Sequence, residues 1–190
     1  LNRIFTDLLN NVPPKYEYVK TSVQSIRSPF EFDNIYVASA IQFLNAGDLG
    51  SDSEEDSPIQ RISSALSAFN TRTDSHSFVK QMGPDTIATI TSFAPTTDID
   101  KAHQVLDNME VLLTGLLSQM GFHVCYARGH FYHSILDITA SYNRALSVLA
   151  GKRKEALAAY PSEALPAPEP QPETASIQGL NFHNNDAMKY

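Results

Sequence analysis

Apolar residues recur at helical spacing along several stretches of the chain. The clearest stretch is 98–120, where apolar positions alternate in steps of three and four residues and Gly121 follows the end. This stripe is typical of a helix packed on its own sheet, although a coiled-coil seam between two copies has the same spacing. We prefer the first interpretation. Further helices are predicted at 1–11, from Ser57 and Pro58 onward, and from Ser141 to about Tyr160.

Other stretches have the β-branched and aromatic composition of strands. We predict strands at 15–26, 86–93, 122–126 and 131–139, and the last two form a hairpin because Gly129 lies between them. The apolar residues between Asp33 and Gly47 fit a helix that Asp33 caps. The stretch 71–81 remains ambiguous.

These elements predict one α+β domain at 1–160. Its sheet is small and mostly antiparallel, with about four strands packed against helices. The predicted order contains a β-α-β-β-α core that resembles part of a ferredoxin-like arrangement in topology. The stretch 48–57 carries five carboxylates and no basic residue, so we expect a solvated acidic loop there.

The last thirty residues differ in composition from the rest of the chain. Five of the eleven prolines fall within 161–172, interleaved with Ala and Glu, which favours an extended polyproline II spacer. A short apolar patch and a terminal tyrosine follow this spacer. We therefore predict a Pro-rich extended tail at 161–190 that docks on a partner through Ile177, Leu180, Phe182 and Tyr190.

Charge and composition exclude several kinds of partner. With 14 Lys and Arg against 21 Asp and Glu, the net charge is −7, which disfavours nucleic acid and anionic membranes. The single cysteine forms no internal disulfide, and no long apolar segment or signal peptide is evident. We expect a cytoplasmic protein or one within a virus particle. Because the first residue is Leu1, we favour processing of a precursor or trimming of a longer chain.

Four potential metal ligands lie close together in the sequence, at His123, Cys125, His130 and His133. In the predicted hairpin His133 points to the opposite face, so packing and surface exposure explain these residues better than a metal site does. A Cys125 thiolate activated by His123 is a further possibility, but a cysteine in an apolar strand is usually a small buried side chain. We expect no metal, no cofactor and no catalytic residue.

Structural roles also explain the carboxylates that could act in catalysis. Asp137 lies within an apolar stretch four residues after His133, and a buried carboxylate there needs that histidine as a partner. We expect a structural pair rather than an acid–base site. Asp98 and Asp100 fall at a helix start, where capping explains them.

The sequence therefore predicts a non-catalytic structural or assembly subunit of a large particle, such as a virus or phage shell or a similar multi-subunit complex. Its partners are protein subunits, which the C-terminal tail contacts, and it binds neither nucleic acid nor membranes. Two alternatives stay open. One is a small enzyme or metal-binding protein that uses the His/Cys hairpin, and the other is an acidic adaptor or chaperone.

Overall fold

A computed structural model of the chain describes residues 1–25, 28–45 and 57–159. Most of the predicted acidic loop and the whole predicted tail at 161–190 lie outside these residues. The helices are α1 (Asn2–Leu9), α2 (Tyr16–Ser25), α3 (Pro58–Thr73), α4 (Ile99–Gln119) and α5 (Ile138–Ala159), and the strands are β1 (Ile35–Phe43), β2 (Ser75–Gln81), β3 (Thr86–Phe93) and β4 (Val124–Arg128).

The strands form one sheet in the order β2-β3-β1-β4, and every neighbouring pair is antiparallel. This confirms the predicted α+β class and the small antiparallel sheet. The path β1-α3-β2-β3-α4-β4 is the split β-α-β arrangement of ferredoxin-like folds. The predicted order resembled only part of this arrangement, and it used different segments of the chain.

Helices cover both faces of the sheet. The face that contacts α3 and α4 carries large apolar residues of β1 such as Ile41 and Phe43. The opposite face contacts α1, α2 and α5, and there Ala88, Ala40 and Ala127 stand side by side on three neighbouring strands. Because alanine side chains are short, they leave room for α5 to lie close to the sheet.

The prediction of a helix after Asp33 is wrong, because this stretch is the central strand β1. Nearly every residue of β1 is buried, as expected for a strand covered by helices on both faces. Such a strand is apolar on both sides, so its hydrophobic residues also fit a helical period.

The strand predicted at 15–26 is also wrong, because 16–25 forms α2. Its buried residues are Val19 and Val23, four positions apart on one helical face, whereas Tyr16 and Tyr18 are exposed. The tyrosines and valines suggested a strand by propensity, but packing of one helical face decides the structure.

The predicted hairpin at 122–139 does not form. β4 pairs with β1 instead, and after one extra residue the chain resumes pairing where Tyr132 bridges to Tyr36. A short 3-10 turn, Ile135–Asp137, then leads directly into α5. These pairings join residues far apart in the sequence, which the local pattern could not reveal.

The long helix α4 packs on its own sheet, as preferred above. Its buried residues are Ala102, Val105, Leu106, Met109, Leu113 and Leu117. Since the apolar stripe is buried within the domain, it is not available as a coiled-coil seam. No helix in the described ranges combines the length and the apolar character needed to cross a bilayer.

Candidate functional site

The outer edge of β2 is the longest open backbone edge of the sheet. β2 lies at one end of the strand order, and none of the described strands pairs with its outer side. Met82 N donates to Thr86 O at 2.9 Å, so the even-numbered residues of β2 direct their backbone groups toward β3. The backbone N–H and C=O groups of Ser75, Ser77, Val79 and Gln81 therefore point outward.

A fixed turn holds this edge in place. β2 and β3 are joined through Gly83, Pro84 and Asp85, and the Asp85 carboxylate accepts hydrogen bonds from Gln42 Nε2 at 3.0 Å and Thr86 Oγ1 at 2.9 Å. The bond from Gln42, which lies on the central strand, is the main cause that lowers the pKa of Asp85. The turn is thus tied to the middle of the sheet.

On the side of β2 that faces α1, the apolar residues Phe78 and Met82 alternate with His76 and Lys80. Phe78 is half-buried, with its ring centroid 4.9 Å from that of Phe5 on α1, and Met82 is half-buried in the same core. We call Phe78 and Met82 the apolar flank. A strand beside β2 would extend its own side chains over this flank.

On the side that faces α3, β2 carries the polar residues Ser75, Ser77 and Gln81 together with Val79, which packs against the apolar core there. Asn70 on α3 accepts hydrogen bonds from Ser75 Oγ at 3.2 Å and Ser77 Oγ at 3.0 Å. Ser63 and Ser67 lie on the same helical face as Asn70, at spacings of seven and three residues, and both are exposed. We call Ser63, Ser67 and Asn70 the polar flank.

The other edge of the sheet, β4, is partly covered. Lys152 on α5 donates from Nζ to the outward-facing backbone O of Tyr126 at 2.8 Å, and the same Nζ lies 3.7 Å from Glu110 Oε1 on α4. We call this contact between the two helices across the edge the Lys152 bridge. It occupies the central acceptor of a five-residue strand and places a charge where a further strand would pair.

Two more contacts fix β4. Arg128 Nη1 lies 2.6 Å from Asp107 Oδ1 on α4. The two groups form an ion pair, but their geometry is not that of a hydrogen bond. The buried Tyr126 hydroxyl donates to Ser39 Oγ at 2.9 Å, and burial raises the pKa of Tyr126 to about 12. β4 is therefore attached to β1, α4 and α5.

The four residues of the predicted His/Cys cluster are not brought together. His123 and Cys125 are at the first end of β4, whereas His130 and His133 follow its other end. Within the described ranges no group of three or more His, Cys, Asp or Glu side chains is placed to hold a metal ion. His123 and the buried Cys125 do line an open groove of about 450 Å³ between α4, β4 and α5.

The carboxylates have structural positions. Asp137 lies in the 3-10 turn and is exposed, so the expectation of a buried carboxylate paired with His133 is wrong. Asp98 caps α4, since its Oδ1 accepts from Asp100 N at 2.8 Å and Lys101 N at 3.2 Å.

The predicted docking residues Ile177, Leu180, Phe182 and Tyr190 lie outside the described residues. The position of β2 at the edge of the sheet was not predicted, because 71–81 was ambiguous and edge position depends on long-range pairing. Lys152 was seen only as part of a basic run at a helix end. The two adjacent β-favouring residues Phe78 and Val79 are a local sign of β2.

Comparisons with known proteins add little to this description. No protein-family description and no curated protein matches the chain. One similar solved structure is a hydantoinase/carbamoylase family amidase from Burkholderia ambifaria, with a TM-score of 0.35 and 7% identity. The similarity covers 59% of this chain and 32% of the amidase chain, and at that TM-score it supports no conclusion about function.

Proposed function

We propose that this protein is a non-catalytic assembly subunit of a larger particle, and that its C-terminal tail docks on a neighbouring copy. The observation that carries the proposal is the contrast between the two sheet edges. One edge is bridged by a lysine, and the other leaves four residues with outward backbone groups and no strand partner among the described residues. Open edges of this kind add strands from other chains.

The length of the spacer permits contact between copies. A polyproline II segment rises about 3.1 Å per residue, so 161–176 spans about 50 Å when extended. A compact domain of this size has a radius of gyration near 15 Å and a diameter of about 40 Å. The apolar residues at 177–182 can therefore reach beyond the domain that carries them.

The proposed site of action is the cytoplasm or the interior of a virus particle, with protein subunits as partners. Neither nucleic acid nor a membrane is part of the proposal, because a net charge of −7 opposes binding to both. The proposed contact uses backbone hydrogen bonds and apolar side chains, so association should persist at high salt. An acidic adaptor would instead lose its partner as salt rises.

The test is the molar mass in solution, measured by light scattering over a range of concentrations. We expect the full chain to form species larger than a monomer, and the Ile177→Ala, Leu180→Ala, Phe182→Ala triple variant to remain monomeric. A chain ending at Tyr160 should behave like the triple variant. If all three proteins have the same mass per particle, the tail does not connect copies and the proposal is wrong.

A further inference from the structure

We infer that residues 176–182 of one copy add to β2 of a second copy as a fifth strand of its sheet. This inference rests on the proposed function and specifies the contact that the tail makes. The segment has seven residues, as β2 does, so in an antiparallel register it can pair with the outward backbone groups of Ser77, Val79 and Gln81.

Side-chain alternation gives the segment two different faces. In an extended strand Leu180 and Phe182 point to one side, whereas Ile177, Gly179 and Asn181 point to the other. The first side also carries Ser176 and Gln178, so its apolar residues are confined to the end of the segment. On β2, Phe78 lies on the α1 side, whereas Ser75 and Ser77 lie on the α3 side next to Asn70.

One antiparallel register places Leu180 beside Phe78 of the apolar flank and Asn181 on the side of the polar flank. With Leu180 beside Phe78, Phe182 falls beside His76, and Asn181 falls beside Ser77 next to the polar flank. In this register the backbone N–H and C=O groups of the odd-numbered residues of the two strands point toward each other. These are the residues of β2 whose N–H and C=O groups point outward.

A shift of one residue reverses this match. Leu180 and Phe182 would then lie on the α3 side of β2, which carries Ser75 and Ser77, and Asn181 would lie on the side of Phe78. The alternation therefore selects which face of the segment contacts α1. The other edge is unsuitable, because the Lys152 bridge occupies the outward carbonyl of Tyr126.

The first experiment removes one outward N–H from β2 of the full chain. Ser77→Pro deletes this N–H without breaking a hydrogen bond to β3, whereas Ser77→Ala keeps the N–H and loses only the hydroxyl. We expect Ser77→Pro to weaken association about tenfold or more relative to Ser77→Ala, as seen by light scattering. Circular dichroism and thermal unfolding verify that both variants fold.

The second experiment changes only the tail, so it does not depend on how β2 tolerates proline. Leu180→Asp places a charge over the apolar flank and should weaken association about tenfold or more. Asn181→Asp adds the same charge on the polar side and should change association by less than about threefold.

The outcomes separate this inference from the proposed function. If the Ile177, Leu180 and Phe182 triple variant is monomeric while Ser77→Pro assembles like Ser77→Ala, the tail connects copies but not through β2, and strand addition is overturned. Equal effects of Leu180→Asp and Asn181→Asp overturn the assigned face. If Ser77→Pro abolishes association and the triple variant does not, the occupant is another segment, such as β2 of the second copy. A monomeric full chain overturns both proposals.

Discussion

The two edges of the sheet differ in how their backbone groups are satisfied. At β4, the Lys152 bridge crosses from α5 to α4 and occupies an outward carbonyl, while Arg128 contacts Asp107 on α4. At β2, the described residues provide no such contact, and the helix beside the edge presents short serine side chains. The same sheet thus has one closed edge and one open edge.

Under the proposed function, this difference would direct assembly to one edge of the sheet. Proteins usually protect exposed edges with charges, bulges or short strands, because an unprotected edge pairs with other chains. β4 has all three features, including the extra residue between β4 and the bridge at Tyr132. In the proposed assembly, protection of one edge and exposure of the other would leave each copy one receiving surface.

The largest expected effect on stability comes from a substitution at Gly129, which follows β4 at the closed edge. A Cβ added to Gly129 would lie 1.9 Å from the Ser141 backbone O on α5, so Gly129→Ala must push α5 from the sheet. We expect a loss of about 3 kcal/mol in the free energy of unfolding, measured by denaturant titration.

Gly151→Ala is the matched control for that substitution. It adds the same methyl group on α5, where nothing lies within 4 Å of the new Cβ. Alanine is the better helix former, so this variant should gain about 0.5–1 kcal/mol. Equal losses in both variants would contradict the close approach of α5 to the end of β4.

High pH should weaken the closed edge through Tyr126. Burial raises the pKa of this tyrosine to about 12 in the folded chain, against about 10 in the unfolded chain. Its contribution to stability is fully present below pH 10 and is lost as pH rises toward 12, because the unfolded state releases the proton first. Burial also raises the pKa values of Tyr36 and Tyr142, so their contributions change in the same direction.

The measurement is denaturant unfolding at pH 9 and pH 11 for the natural chain and Tyr126→Phe. The variant loses the hydrogen bond to Ser39 and starts at lower stability, but its further loss between the two pH values should be smaller. If both proteins lose the same amount, Tyr126 is not responsible for the alkaline effect.

The smallest expected effect on stability comes from removing the Lys152 bridge. Lys152→Met keeps the aliphatic stem but loses the ammonium, and it should cost less than about 1 kcal/mol, because the side chain is 47% exposed. Its effect on association should be clearer, since the Tyr126 carbonyl becomes free to pair. Light scattering should show larger species than for Lys154→Met, and equal masses would mean that the bridge does not close this edge.

The sequence predicted the parts of the fold that have a single-sided pattern. α1, α3, α4 and α5 each bury one helical stripe, and β3 was recognised from its run of β-branched residues between turns. A helix was predicted where β1 lies, and a strand was predicted where α2 lies. A strand buried on both faces lacks the alternation of apolar and polar residues, and a short helix rich in tyrosine and valine resembles a strand.

The candidate site was less predictable than the fold. An edge is defined by which strands pair, and the pairing of β1 with both β3 and β4 joins residues far apart in the sequence. The role of Lys152 likewise depends on α4 and α5 meeting across β4. The tail residues Ile177, Leu180 and Phe182 were visible as apolar positions, but their receiving surface required the sheet order.

Disulfide trapping between two differently labelled chains tests the central proposal most directly. With Cys125→Ala in both chains, one carries Ser77→Cys and the other carries Asn181→Cys, which face each other in the proposed register. On mixing under mild oxidation, these chains should form a covalent heterodimer far faster than Ser77→Cys mixed with a chain carrying Gln171→Cys in the spacer. Equal rates for the two mixtures would show that the tail segment does not pair with β2.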